Sequence, residues 1–159
     1  MTAYPLFALL RLREFRQDKA MHSLQRRERE LVQARRDESQ AVQAHGDFLD
    51  WLAREEENRY QSIMDIEMEL PEVDEFKQGL LGLRARESHY LENILKARNQ
   101  VQVCREAVAR AKADLLAAQK GTMKIEVHRD KWMELEKIEA ERAEEREMED
   151  FIPRKAGQF

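Results

Sequence analysis

The chain has little of what breaks helices and little of what staples small folds. Its 159 residues include 3 prolines, 5 glycines and 1 cysteine. A lone Cys104 excludes an internal disulfide and fits a reducing compartment. No apolar run approaches the ~20 residues needed to cross a bilayer. The first twelve residues are apolar-rich, but Arg11 and Arg13 cut them short and no small-residue cleavage site comes after them. A soluble, intracellular protein without membrane insertion is therefore expected. Catalytic signatures are missing as well: there is no Gly-rich phosphate loop, GxSxG, HExxH or CxxC. His22, His45, His89 and His128 are scattered, no two of them one turn apart, so no metal or cofactor site is expected. Carboxylates are abundant, yet nothing singles out an acid–base pair, and the chain reads as a non-enzyme. A net charge of −4 leaves no electrostatic footprint for nucleic acid.

What the chain does have is charge and period. Charged residues make up 38%, against roughly 25% in ordinary globular chains. From Leu83 the positions Glu87, Tyr90, Ile94, Ala97, Val101, Cys104, Val108, Ala111, Leu115, Ala118, Thr122, Ile125, Arg129 and Trp132 recur at alternating spacings of three and four. Between Tyr90 and Ile125 all but Thr122 are apolar or aromatic, which is the seam of a coiled coil. So narrow a stripe is not stable alone in water and needs a partner along its length.

The partner is expected from the same chain. Pro5 suits the first helical position, where its missing N–H costs nothing. From there a poorer seam runs through Leu24, Leu31, Ala34, Glu38, Val42, His45, Leu49, Leu52, Glu56, Arg59, Ile63 and Ile66. Gly46 in its middle costs roughly 1 kcal/mol against Ala, which a long helix absorbs. Leu70-Pro71 then breaks the pattern, and Asp74 can cap the second helix. The fold class is all-α: two long helices forming an antiparallel coiled-coil hairpin. Helix 1 spans about 5–69, the loop 70–75, helix 2 about 76–150, and 151–159 is a loose tail. A short loop between long helices implies antiparallel neighbours.

Charge supports that orientation. Residues 1–36 carry +5, 37–75 carry −11, 76–125 carry +6 and 126–150 carry −6. Folding at the loop sets opposite signs side by side, at no more than about 1 kcal/mol per exposed pair. With the turn centred near residue 73, Val42 would face Cys104, Leu52 Ile94, Met21 Ile125, and Phe15 would lie near Trp132.

Two regions hold more apolar surface than one seam can bury. Tyr4, Leu6, Phe7, Leu9, Leu10, Leu12 and Phe15 point nearly all round a helix. Ile63, Met64, Ile66, Met68, Leu70, Val73, Phe76, Leu80 and Leu81 cluster at the loop. Such surface marks interaction sites unless it closes its own end of the hairpin. Trp51 and Tyr60 lie off the seam, as exposed anchors or flat over neighbouring side chains. The basic cluster Arg26, Arg27, Arg29, Arg35 and Arg36 alternates with Glu28, Glu30, Asp37 and Glu38, the pattern of a solvated, salt-bridged face.

Tyr4-Pro5-Leu6, Leu9-Leu10 and Leu12-Arg13-Glu14 with Arg16 and Ala20 resemble the opening of the YscO family of type III secretion proteins, themselves similar to the flagellar export protein FliJ. The resemblance implies a monomeric cytoplasmic stalk, peripheral at the base of the secretion apparatus. Its terminal end would enter the hexameric export ATPase, and its remainder would reach the export gate and bind secretion chaperones. Leu6, Phe7, Leu9, Leu10, Leu12, Arg13, Arg16 and Trp132 would then contact the ATPase ring. Met64, Met68, Val73, Phe76, Leu80 and Leu81 are the expected gate or chaperone contact, on their apolar character alone. A coiled-coil scaffold or adaptor that dimerises tightly through its apolar ends is the alternative.

Overall fold

The computed structural model describes residues 2–152. Three helices occur in order: α1, Phe7–Ile63; α2, Leu70–Ala85; and α3, Glu87–Phe151. No strand occurs among the described residues, and the fold is a helical hairpin in which α1 packs antiparallel on α2 through Tyr60–Phe76 and on α3 through Phe48–Tyr90 and Arg13–Gly121. Of the expected tail, Phe151 closes α3, and residues 153–159 lie outside the described residues. The chain forms two compact units, Met1–Ser23 with Ala111–Phe159, and Leu24–Arg110.

The turn is not where the proline implied. Residues 64–69 form it, and Pro71 starts α2 rather than ending α1. Glu69 precedes α2 in an extended conformation (φ −77°, ψ 156°), so Pro71 stands among the first helical residues, where no N–H is needed. Asp74 accordingly lies inside α2 and caps nothing. Ser62 stands in the last turn of α1. Its hydroxyl donates to the Arg59 carbonyl at 2.6 Å, competing for an acceptor of the helical ladder. Beyond it the N–H groups of Met64 and Ile66 reach back only three residues, to Gln61 and Ile63.

A second serine interrupts the returning arm. Ser88 Oγ donates to the Ala85 carbonyl at 2.8 Å, while the His89 N–H takes the Arg86 carbonyl, one residue closer than an α-helix would use. Arg86 itself stays helical (φ −64°, ψ −23°). The expected second helix is thus α2 and α3 joined through a tightened step.

Packing obeys the period of the returning arm. Every seam position from Leu83 to Trp132 is buried or half-buried. On α1 the seam runs through Leu24, Leu31, Ala34, Glu38, Ala41, His45, Phe48, Leu52, Arg59 and Ile63. Two expected members are displaced: Val42 and Leu49 are 44% and 38% exposed, whereas Phe48 is buried. Phe48 stacks on Tyr90 with ring centroids 4.6 Å apart and joins Leu52 and Leu83 in one cluster. The aromatic pair fills more of the interface than a leucine could. Ile66 lies beyond the end of α1 and is 62% exposed.

The register differs from expectation for the same reason. In the unit Leu24–Arg110, Glu38 meets Arg98, Phe48 meets Tyr90 and Tyr60 meets Phe76. In the other unit, Tyr4 meets Trp132 and Arg13 covers Gly121. These partners stand about ten residues from the expected pairing, because moving a turn by five residues slides the arms by twice that amount. Met21, Phe15 and Leu52 therefore do not face Ile125, Trp132 and Ile94. Phe15 is 64% exposed.

Two outcomes check this register and seam. Ala34→Cys should oxidise to an intramolecular disulfide with native Cys104, since Ala34 and Cys104 share a cluster. Val42→Cys should not, and the reverse pattern on non-reducing gels would restore the other register. In denaturant unfolding, Leu52→Ala should cost about 2–4 kcal/mol as a buried truncation. Leu49→Ala should cost under about 1 kcal/mol as a largely exposed one.

Candidate functional site

Among the apolar side chains that the hairpin leaves in water, two groups gather at its ends, one in each unit. The first surrounds the start of α1. Tyr4 lies just before that helix and is buried, its hydroxyl on His128 Nδ1 and its ring edge-on to Trp132 at 5.4 Å between centroids. Thr2 Oγ1 donates to Glu136 at 3.4 Å. These contacts dock the N-terminal segment on α3. Leu10 is 2% exposed, so it belongs to the core and offers no side chain to a partner. Leu9, Arg13 and Trp132 are half-buried, while Leu6, Phe7, Leu12 and Arg16 are exposed. Of the residues expected to touch a ring, the structure thus leaves one exposed apolar set, Leu6, Phe7 and Leu12, which Phe15 extends. Arg11 lies over the Phe7 ring, 5.6 Å from its centroid.

Beside Phe7 is an open hollow of about 740 Å³ walled by Ala3, Tyr4, Trp132, Met133, Ala140 and Ala143. It exists because α3 outruns α1. Glu136 faces Thr2, and every residue from Lys137 to Ile152 is exposed. The expected pairing of the −6 block with the +5 block is consequently not made: most of the acidic block projects beyond the helix meant to neutralise it.

Arg13 lies on the seam opposite Gly121. A Cβ at position 121 would approach Arg13 Nη1 to 2.6 Å, so the glycine makes room for the guanidinium. Arg13 Nε is buried without a hydrogen-bond partner among the described residues. The neighbouring Thr122, 4% exposed, donates its hydroxyl to the Ala118 carbonyl at 3.1 Å. Nothing in the heptad pattern marked an arginine for this position.

The second group gathers at the turn. Leu80 is 6% exposed and is core, contrary to its expected role as a contact. Phe76 is half-buried edge-on to Tyr60, centroids 5.5 Å apart, and so closes the arms behind the turn. Met68 and Val73 are half-buried; Met64, Ile66, Leu70 and Leu81 are exposed. Trp51 lies against Phe48 at 5.9 Å, a cover for the core as much as an anchor.

Charge is arranged as the block pattern required within the unit Leu24–Arg110. Arg84 Nε donates to Glu56 at 2.6 Å, Arg98 meets Glu38 at 3.5 Å, and His45 Nε2 lies 3.0 Å from Glu87. The Arg84 hydrogen bond holds the Glu56 carboxyl below its ordinary value, against desolvation and aided by the charge of Arg84. Within the basic cluster, Arg27 pairs with Glu30 at 3.0 Å, as a solvated face does. Among the described residues no group of His, Cys, Asp and Glu is placed to hold a metal, and no helix is long and apolar enough to cross a membrane.

Comparison with known proteins bears on this arrangement. Among curated proteins, none matches the chain. Two solved structures share its fold. A YscO homologue from Chlamydia trachomatis superposes with a TM-score of 0.78 at 19% identity, over 94% of this chain and 92% of that one. The type III secretion protein YscO from Vibrio parahaemolyticus gives 0.80 at 22% identity, over 91% of each chain. The family described as type III secretion protein YscO matches residues 6–154. That span takes in both arms and the turn, and the chain belongs to the YscO family of type III secretion proteins.

Proposed function

We propose that this chain is a non-enzymatic stalk on the cytoplasmic side of a type III secretion apparatus, coupling the export ATPase ring to the export gate and binding secretion chaperones. The observation that carries the reading is the exposure of large apolar side chains at the start of α1 and at the turn, where the seam has already buried what it can. Phe7, Leu12 and Phe15 are 53%, 43% and 64% exposed; Met64, Leu70 and Leu81 are 79%, 81% and 62% exposed. Exposed apolar groups gathered in this way serve contacts outside the chain.

The first group would meet the ATPase ring, as the family resemblance implies. Leu6, Phe7, Leu12 and Phe15 supply apolar area, and Arg11 and Arg16 supply charge. Leu9, Arg13 and Trp132 act by holding this surface in place. The second group would meet the gate or a chaperone through Met64, Ile66, Leu70 and Leu81, with Met68 and Val73 at its edge. Methionines suit a surface that accommodates more than one partner, being unbranched and polarizable. The protein's part is mechanical and electrostatic: two paired helices transmit position, and no side chain takes part in bond making.

Phe7→Asp with Leu12→Asp should lower binding and stimulation of the purified export ATPase by about tenfold or more, the scale of losing buried apolar anchors. Circular dichroism should stay unchanged, because neither residue is core. Undiminished stimulation would remove the ring from this surface. Independently, Met64→Ser with Leu81→Ser should weaken capture of secretion chaperones or of the gate's cytoplasmic domain without altering the ATPase response. If both affinities persist, the turn cluster has no docking role.

A further inference from the structure

The α3 helix carries a second apolar stripe on the face turned away from the seam. At about 100° per residue, Leu116, Met123, Val127, Ile138, Met148 and Ile152 fall within about 40° of one line. All six are exposed, from 37% at Ile138 to 71% at Met148. A shallow hollow of about 360 Å³ lies between Met123 and Val127, walled by the stems of Lys120 and Lys124. Nothing in the hairpin's own packing uses this face.

The charges along the stripe change sign near its middle, Asp130 and Lys137 excepted. Lys120, Lys124 and Lys131 flank its first half, and Glu134, Glu141 and Glu145 its second. All six are exposed, and none makes an ion pair among the described residues. Both halves lie on one helix, so neither can neutralise the other within a molecule. A second copy running the opposite way can neutralise both.

We propose that the outward face of α3 pairs antiparallel with the same face of a second copy of this chain, about a two-fold axis between Trp132 and Met133. In that register Lys120 faces Glu145, Lys124 faces Glu141 and Lys131 faces Glu134, each contact occurring twice. Val127 faces Ile138, and Leu116 comes beside Met148. Asp130, Lys137 and Arg142, at the margins, face Leu135, His128 and Met123, so no like charges collide. A parallel pairing in register would set lysine on lysine and glutamate on glutamate. The interface is isologous and closes at two chains. It consists of exposed ion pairs around a thin apolar line, so the dimer is weak and loosened by salt. It is therefore distinct from the tight dimer of a scaffold, and one hairpin remains the unit that acts as a stalk.

Sedimentation equilibrium of the full chain tests this. Between about 5 and 300 µM at low salt, the apparent mass should rise from one chain toward two by mass action. It should fall back in high salt. Lys120→Glu with Lys124→Glu should weaken association at least about tenfold, with unchanged helicity. Adding Glu141→Lys and Glu145→Lys to that variant should restore it. A mass of one chain throughout, association indifferent to the lysine reversals, or a charge swap that fails to restore it would each overturn the proposal. The proposal rests on the geometry of α3 alone, so failure of the ATPase test leaves it standing, and its own failure leaves the stalk reading standing.

Discussion

A helix with one narrow apolar stripe cannot be left in water, and the rest of this structure answers that constraint. From Leu83 to Trp132 the stripe is continuous and α1 covers it. One facing side chain is small, Ala34 against Val101 and Cys104, and Gly121 makes room for Arg13. Small residues let two helix axes approach, and close approach makes dispersion contacts count. Where the interface must be filled, the Phe48–Tyr90 stack fills it.

Electrostatics then select among the arrangements that hydrophobic burial allows. The ion pairs that bridge the arms, Glu56–Arg84 and Glu38–Arg98, join an acidic block to a basic one. They lie at least partly in solvent and contribute modestly to stability, but a parallel arrangement would set blocks of like net charge side by side. Orientation and burial point the same way, which is what a single folded state requires.

The sequence made the fold class, the antiparallel sense and the whole seam of the returning arm readable, because a 3–4 period of apolar residues has one physical reading at this length. The turn was misread because Pro71 fits two roles, ending one helix or opening the next, and local sequence does not choose between them. At the two interruptions stand Ser62 and Ser88, whose hydroxyls compete for backbone carbonyls. A serine in a helical sequence gives no warning of this. From that one displacement came the register error, while Leu10 and Leu80 were assigned to contact surfaces as members of the two apolar clusters. Both are apolar, and only the pairing reveals that they face inward. Val42 and Leu49 lost their places to Ala41 and Phe48 because spacings of three and four can alternate in either order. The exposed residues at the two apolar clusters were foreseen as clusters, though not which members would stay in solvent.

The unequal length of the arms has an implication for what the last turns of α3 are for. Every residue from 137 to 152 is exposed, so the buried seam places little constraint on the sequence there. An amphipathic pattern in a segment that the seam constrains so little is a record of demands made from outside the molecule.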